Sequence, residues 1–126
     1  MNKFRHHQAL TEEQIALLQK VRGRVLAAAE AFDMRFVAYE CGAPACIAGH
    51  CAVELGVGEG GLVEVERWFG AGQALDYVPL FYLGHWDKDL RLQYRSTESE
   101  QERALAGCKA IDRYIANTIA EHGRVE

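Results

Sequence analysis

Two amphipathic stretches, one near each end of the chain, constrain the fold more than any other feature. The first, over residues 11–32, opens with Thr11 and Gln14 at the spacing of a capping box, and Leu10 is placed to pack against Ile15. Apolar residues then recur every three or four positions: Ile15, Leu18, Val21, Val25, Ala28 and Phe32. This pattern predicts a long helix that buries one face.

A matching stretch over residues 98–121 predicts a second long helix. Its capping box is either Thr97 with Glu100 or Ser99 with Glu102. The apolar stripe consists of Leu105, Cys108, Ile111, Ile115 and Ile119. A chain of 126 residues has the length of one domain and can bury roughly two thirds of its surface. We therefore expect a mainly α, single compact domain over residues 1–126, with about five helices framed by these two.

The residues between the long helices predict shorter elements. Residues 35–39 suit one short extended segment. Pro44 suits the first position of a helix that continues to Leu55 and stops at Gly56. The small residues of this helix would let it approach a neighbour closely. A last short stripe, at Leu62, Val65 and Phe69, predicts a further helix.

Charge and the N-terminal residues bear on location and partners. Residues 1–9 show no apolar period, so we expect a flexible basic end in which His6 and His7 are solvated. No signal peptide and no membrane-length apolar run is visible, which predicts a cytoplasmic protein without a membrane partner. The net charge of −4 comes without a concentrated basic face, so we expect no direct binding of nucleic acid. Mimicry of a nucleic acid by the acidic chain is a third functional alternative.

The densest group of potential soft ligands lies within residues 41–51: Cys41, Cys46, His50 and Cys51. A zinc site formed by Cys41, Cys46 and His50 is one hypothesis. The spacing lacks the two short pairs of a structural zinc site, and on a helix Cys51 lies about 140° from Cys46. We therefore expect no bound metal or cofactor, with Cys46 and Cys51 as small buried hydrophobes. A disulfide between Cys41 and Cys46 stays open, although a chain without a signal peptide favours reduced thiols.

A second hypothesis makes Cys41 a nucleophile. A thiol just ahead of a helix lies near the positive end of the helix dipole, which lowers its pKa. The Cys41-Gly42 pair resembles the start of the papain-like peptidases that process bacteriocin leaders. Such an enzyme needs a histidine and an orienting acid, for which His85 with Asp87 is the nearby candidate pair. The strands that carry this histidine in the papain-like fold are not predicted here.

Residues 76–86 form the most aromatic stretch of the chain: Tyr77, Phe81, Tyr82 and Trp86. No Lys or Arg lies between Gly70 and Trp86, which argues against a stacking platform for nucleic acid. Two interpretations stay open. The aromatic side chains either fill the core between the two long helices or form an exposed patch for a protein partner.

A wider pattern runs from Phe32 to Ile115: Phe32-Asp33-Met34, Cys41-Gly42, Cys46-Ile47-Ala48-Gly49, Leu80-Phe81, Trp86 and Ile111-Asp112. It resembles a set of small uncharacterised proteins of bacteria and their phages that share a Cys-Gly-Thr-x-x-Cys-Ile-Ala-Gly-x-Ala signature. The chain departs from their pattern at Ala43, Cys51 and Asp87, so a metal site that included Cys51 would be incidental to that set. The resemblance implies a phage or mobile-element setting and supplies no activity.

These features together predict a small acidic accessory protein that acts by binding another protein. It would be an adaptor or an inhibitor, for example of a host defence system, and not an enzyme. The candidate contact residues are Tyr77, Phe81, Tyr82 and Trp86. The alternative is a thiol- or metal-dependent enzyme centred on Cys41, Cys46 and His50.

Overall fold

Five α-helices form the body of the computed structural model, which describes residues 4–37, 44–57, 61–71 and 77–123. The helices are α1 (Glu12–Ala27), α2 (Ile47–Leu55), α3 (Leu62–Trp68), α4 (Lys88–Arg95) and α5 (Glu100–His122), and short 3-10 turns span Ala29–Ala31, Pro79–Phe81 and Leu83–His85. α1 packs against both α5 and α2, and α4 packs against α5. The prediction of a mainly α domain framed by two long helices is confirmed. Among the described residues, no helix is long and apolar enough to cross a membrane.

Side-chain caps begin both long helices where the sequence predicts. The Thr11 hydroxyl accepts a hydrogen bond from the Gln14 amide, and the Gln14 side chain accepts one from the Thr11 amide, both at 3.0 Å. At α5 the Ser99 hydroxyl accepts from the Glu102 amide at 3.1 Å, so Ser99 and not Thr97 is the N-cap. These contacts satisfy backbone donors that a helix start otherwise leaves without partners.

The predicted start of α2 at Pro44 is wrong by three residues, because the preceding backbone is paired elsewhere. The Ala45 amide donates to the Val37 carbonyl at 3.1 Å, and the Ala45 carbonyl accepts from the Asp33 amide at 2.9 Å. This pairing holds Ala45 beside residues 33–37, and Cys46 becomes the N-cap of α2. Only residues 35–37 of the predicted extended segment lie within the described part of the chain.

The predicted end of α1 and the predicted apolar stripe of α5 also need correction. α1 ends at Ala27 and not at residue 32, because the chain tightens into the 3-10 turn Ala29–Ala31. In α5, Leu105 is 43% exposed instead of buried. The buried face of α5 includes Gly107, where a Cβ atom would lie only 2.6 Å from the ring of Phe32. The packing of Phe32 on this glycine sets which face of α5 points inward.

The N-terminal segment is part of the core, so the prediction that His6 is solvated is wrong. Phe4 is 1% exposed and His6 is fully buried. The His6 ring lies between the Tyr114 hydroxyl, at 2.7 Å from Nδ1, and the Phe69 carbonyl, at 2.6 Å from Nε2. The His6 amide also donates to Thr118 at 2.9 Å. Apolar periodicity within the segment does not reveal this burial, because these three hydrogen-bond partners are distant along the chain.

Gly49 allows α2 to approach the backbone of residue 37 very closely. A Cβ atom at position 49 would overlap the Val37 carbonyl oxygen, which is itself bonded to Ala45. Gly23 in α1 has no neighbouring atom within 4 Å of such a Cβ. The first glycine is required by packing, and the second is not.

We expect opposite effects when each of these helical glycines is replaced by alanine. Gly49→Ala should lower the free energy of unfolding by about 2 kcal/mol, because the backbone of residue 37 must move. Gly23→Ala should raise it by about 1 kcal/mol, because alanine favours helix and meets no obstacle. Urea unfolding of the two variants measures both changes, and equal effects would contradict the close approach of α2 to Val37.

Candidate functional site

Phe81 and Trp86 lie in the core and do not form part of an exposed patch. Trp86 is 2% exposed, and its indole N–H donates to the Leu80 carbonyl at 2.8 Å. The Trp86 ring packs edge-on against Tyr94, with 5.6 Å between ring centroids. Phe81 packs in the same way against Phe69, at 5.7 Å. Neither side chain is available to a partner in this structure.

Tyr77, Tyr82 and His85 form a group of three rings that reaches the surface, called the aromatic cluster below. The Tyr77 ring lies 4.8 Å from His85 and 5.8 Å from Tyr82, and the Tyr82 ring lies 6.1 Å from His85. The two tyrosines are half-buried and His85 is exposed. The sequence analysis gives both tyrosines as candidate contact residues, whereas it gives His85 as a candidate catalytic partner of Cys41.

Glu66 of α3 holds the aromatic cluster in place through two hydrogen bonds. One carboxylate oxygen accepts from the Tyr82 hydroxyl at 3.1 Å, and the other accepts from the Val78 amide at 2.7 Å. Burial and the neighbouring Glu66 carboxylate raise the pKa of Tyr82 to about 12, so its hydroxyl stays a donor at neutral pH. The carboxylate thus holds both the ring and the backbone that leads into it.

The position of Glu66 in the sequence contains a signal for this role. Glu66 lies four residues after Leu62 and three before Phe69, so it shares their apolar face on α3. A glutamate is normally exposed, but only 8% of this residue is. A carboxylate on the apolar face of a short helix is expected to have buried donors as partners.

Arg91 of α4 fixes the other side of the turn that contains His85. Its guanidinium donates to the carbonyls of Gly84 and Trp86, each at 3.3 Å. The 3-10 turn Leu83–His85 is therefore tied to α4, and Val78 is tied to α3 through Glu66. Both flanks of the aromatic cluster are anchored before any partner binds.

His85 and Asp87, the candidate catalytic partners of Cys41, have other contacts. The His85 ring packs against Tyr77, with the two ring planes tilted by 38°. Asp87 accepts a hydrogen bond from Arg113 of α5 at 3.1 Å, and Arg113 also pairs with Asp89 at 3.0 Å. Cys41 lies outside the described residues, so its role as a nucleophile stays a prediction.

The three described cysteines are free, buried thiols: Cys46, Cys51 and Cys108. Burial raises the pKa of each of them above the ordinary value, most strongly at Cys51. The Cys46 sulfur accepts a hydrogen bond from the Gly49 amide at 3.4 Å, as an N-cap does. At neutral pH these thiols are protonated, and a protonated thiol is a poor nucleophile and a poor zinc ligand.

The His50 side chain has a cation as its hydrogen-bond partner. The Arg24 guanidinium donates to His50 Nδ1 at 3.3 Å. Burial, and then the charge of Arg24, lower the pKa of His50 to about 4, so the ring is neutral at pH 7. Within the described ranges, no group of three His, Cys, Asp or Glu side chains is placed to hold a metal ion. Cys41 lies outside those ranges, so the zinc site formed by Cys41, Cys46 and His50 stays a hypothesis.

The structure therefore brings together members of two predicted sets, the contact residues and the catalytic residues. Tyr77 and Tyr82 join His85 at the surface, while Phe81 and Trp86 belong to the core. Comparison of the chain with protein-family models, with curated proteins and with solved structures gave no match.

Proposed function

We propose that this protein acts in the cytoplasm as a protein-binding module, and that the aromatic cluster is its contact surface. The observation that carries the proposal is the packing of Tyr77, Tyr82 and His85 into one partly exposed group of rings. The resemblance of residues 32–115 to phage and bacterial proteins suggests an adaptor or inhibitor encoded by a phage or mobile element, acting for example on a host defence system.

The chemistry of the aromatic cluster suits a binding surface. Tyrosine is enriched among the residues that dominate the energy of protein interfaces, because it combines a large apolar ring with a hydroxyl. Ordering a side chain on binding normally costs about 0.5–1.5 kcal/mol. Here Glu66 already holds Tyr82, and Arg91 already holds the turn that carries His85. The free protein therefore presents these rings in a restricted geometry, which favours affinity.

The alternative enzyme would depend on Cys41. The thiols of Cys46, Cys51 and Cys108 are protonated and buried, so they do not favour it. His50 is neutral and bonded to Arg24, whose positive charge opposes a cation at the same place. The buried thiols and the paired Asp87 thus offer less support for chemistry than the aromatic cluster offers for binding.

We expect a partner protein to crosslink at the aromatic cluster. A photoreactive amino acid placed at position 77 or 85 should form a covalent adduct in a bacterial lysate, and mass spectrometry would identify the captured protein. Tyr77→Ala and His85→Ala should then weaken capture of that protein by at least about tenfold, the loss typical of an interface anchor.

The matched control is Leu92, an exposed apolar residue on α4 with 52% of its surface accessible. A photoreactive residue at position 92 should give no adduct with the same protein, and Leu92→Ala should leave capture unchanged. Capture that survives Tyr77→Ala and His85→Ala would contradict the proposal, as would equal crosslinking from position 92.

A further inference from the structure

A cleft of about 280 Å³ lies between the end of α1 and the start of α2. Its wall combines small apolar side chains with one guanidinium and one imidazole: Ala27, Ala28, Ala31, Pro44, Arg24 and His50. No residue of the aromatic cluster contributes to it. The wall has the composition of a small-molecule site, in which a mostly apolar lining surrounds a few polar groups.

His50 lines this cleft, and its side chain has a buried nitrogen without a hydrogen-bond partner among the described residues. Only 1% of the residue is exposed, and Nε2 is buried without a hydrogen bond. Because Nδ1 accepts from Arg24, the neutral ring carries its hydrogen on Nε2. A buried N–H without an acceptor is unfavourable, and native proteins rarely keep one without a role for it.

Arg24 gives the cleft a positive charge. Its guanidinium donates to His50 at 3.3 Å and pairs with Glu54 at 3.3 Å, while about a third of the side chain, 35%, stays exposed. A planar guanidinium has five N–H donors, more than these two contacts use. An anion that enters the cleft therefore meets a cation, and it lies beside the residue whose N–H lacks an acceptor.

We propose that this cleft binds a small apolar monocarboxylate. One carboxylate oxygen accepts from His50 Nε2, the carboxylate pairs with Arg24, and the apolar body packs on the three alanines and Pro44. A metal ion would be repelled by the guanidinium, and a neutral amide would gain less from it because charge-assisted hydrogen bonds are about twice as strong. The proposal concerns a second site and does not depend on the protein-binding surface.

The test uses hexanoate as the probe and the ¹⁵N resonances of His50 as the readout. Titration into the ¹⁵N-labelled full chain should shift the Nε2 resonance saturably, with a Kd on the order of 1 mM for so small a ligand. Hexanamide has the same apolar body without the charge, and it should bind at least about tenfold more weakly.

Two arginine variants provide a matched pair. Arg24→Gln should weaken hexanoate binding by about tenfold, because it removes the charge that faces the carboxylate. Arg22→Gln changes a neighbouring arginine of α1 that pairs with Asp112 instead, and it should leave binding unchanged. Three results would each overturn the proposal: no saturable shift of His50, equal binding of hexanamide and hexanoate, or equal loss in the two arginine variants.

Discussion

The free energy of unfolding is expected to fall by about 3 kcal/mol between pH 6.5 and pH 4 on account of His6 alone. Burial, with smaller effects from His7 and His122, lowers the pKa of His6 to about 4 from its ordinary value of 6.5, while the hydrogen bond to Phe69 opposes the shift. In this range the unfolded chain binds a proton that the folded protein does not. The full stability is therefore present above pH 6.5, and His6 adds no further loss below pH 4. His50, whose pKa is also about 4, adds a similar slope.

Urea unfolding across this pH range measures the slope, and an NMR titration of the His6 ring measures its pKa directly. His6→Gln should be less stable than the natural protein at neutral pH, because two buried hydrogen bonds change, but its stability should depend less on pH. His85→Gln is the control, since His85 is exposed and packs against Tyr77 and Tyr82 instead of His6, so its variant should keep the His6 slope. A His6 pKa near 6.5 would contradict the burial of a neutral ring.

Trp86→Ala is expected to lower the free energy of unfolding by about 3–5 kcal/mol. The substitution empties a core position, removes the contact with Tyr94 and leaves the Leu80 carbonyl without its donor. Small domains are stable by only about 5–15 kcal/mol, so the variant should be partly unfolded at physiological temperature. Urea unfolding followed by circular dichroism measures this loss.

Two comparisons make the Trp86 result specific. Trp86→Phe keeps most of the ring volume but removes the indole N–H, so it should lose less stability than Trp86→Ala. Leu92→Ala, at an exposed position, should change the free energy of unfolding by no more than about 0.5 kcal/mol. A Trp86→Ala variant as stable as Leu92→Ala would mean that the indole does not support the core.

The features that the sequence predicted correctly depend on residues close to one another in the chain. Thr11 and Gln14 are three positions apart, as are Ser99 and Glu102, and Gly56 ends α2 with the positive φ of 69° that glycine tolerates. Such caps act within one helical turn. The starts of α1 and α5 and the end of α2 could therefore be predicted without knowledge of the fold, whereas α4 was not predicted.

The features that escaped prediction depend on contacts between distant residues. His6 is buried by Phe69, Tyr114 and Thr118, which lie 63, 108 and 112 positions further along the chain. The start of α2 was misplaced because Ala45 pairs with Val37, a bond that no helix-start signal contains. Tyr82 and His85 were assigned to different hypotheses because nothing local shows that both rings contact Tyr77.

The bond between His6 and Thr118 has a consequence for folding during synthesis. The ribosome makes Thr118 112 residues after His6, which at about 5–20 residues per second is a delay on the order of ten seconds. During that interval Phe4 and His6 have no Tyr114 to pack against, although α1 and α2 can already form. The N-terminal segment therefore docks last, and a nascent chain stalled before α5 exposes apolar residues that a chaperone or a protease can recognise.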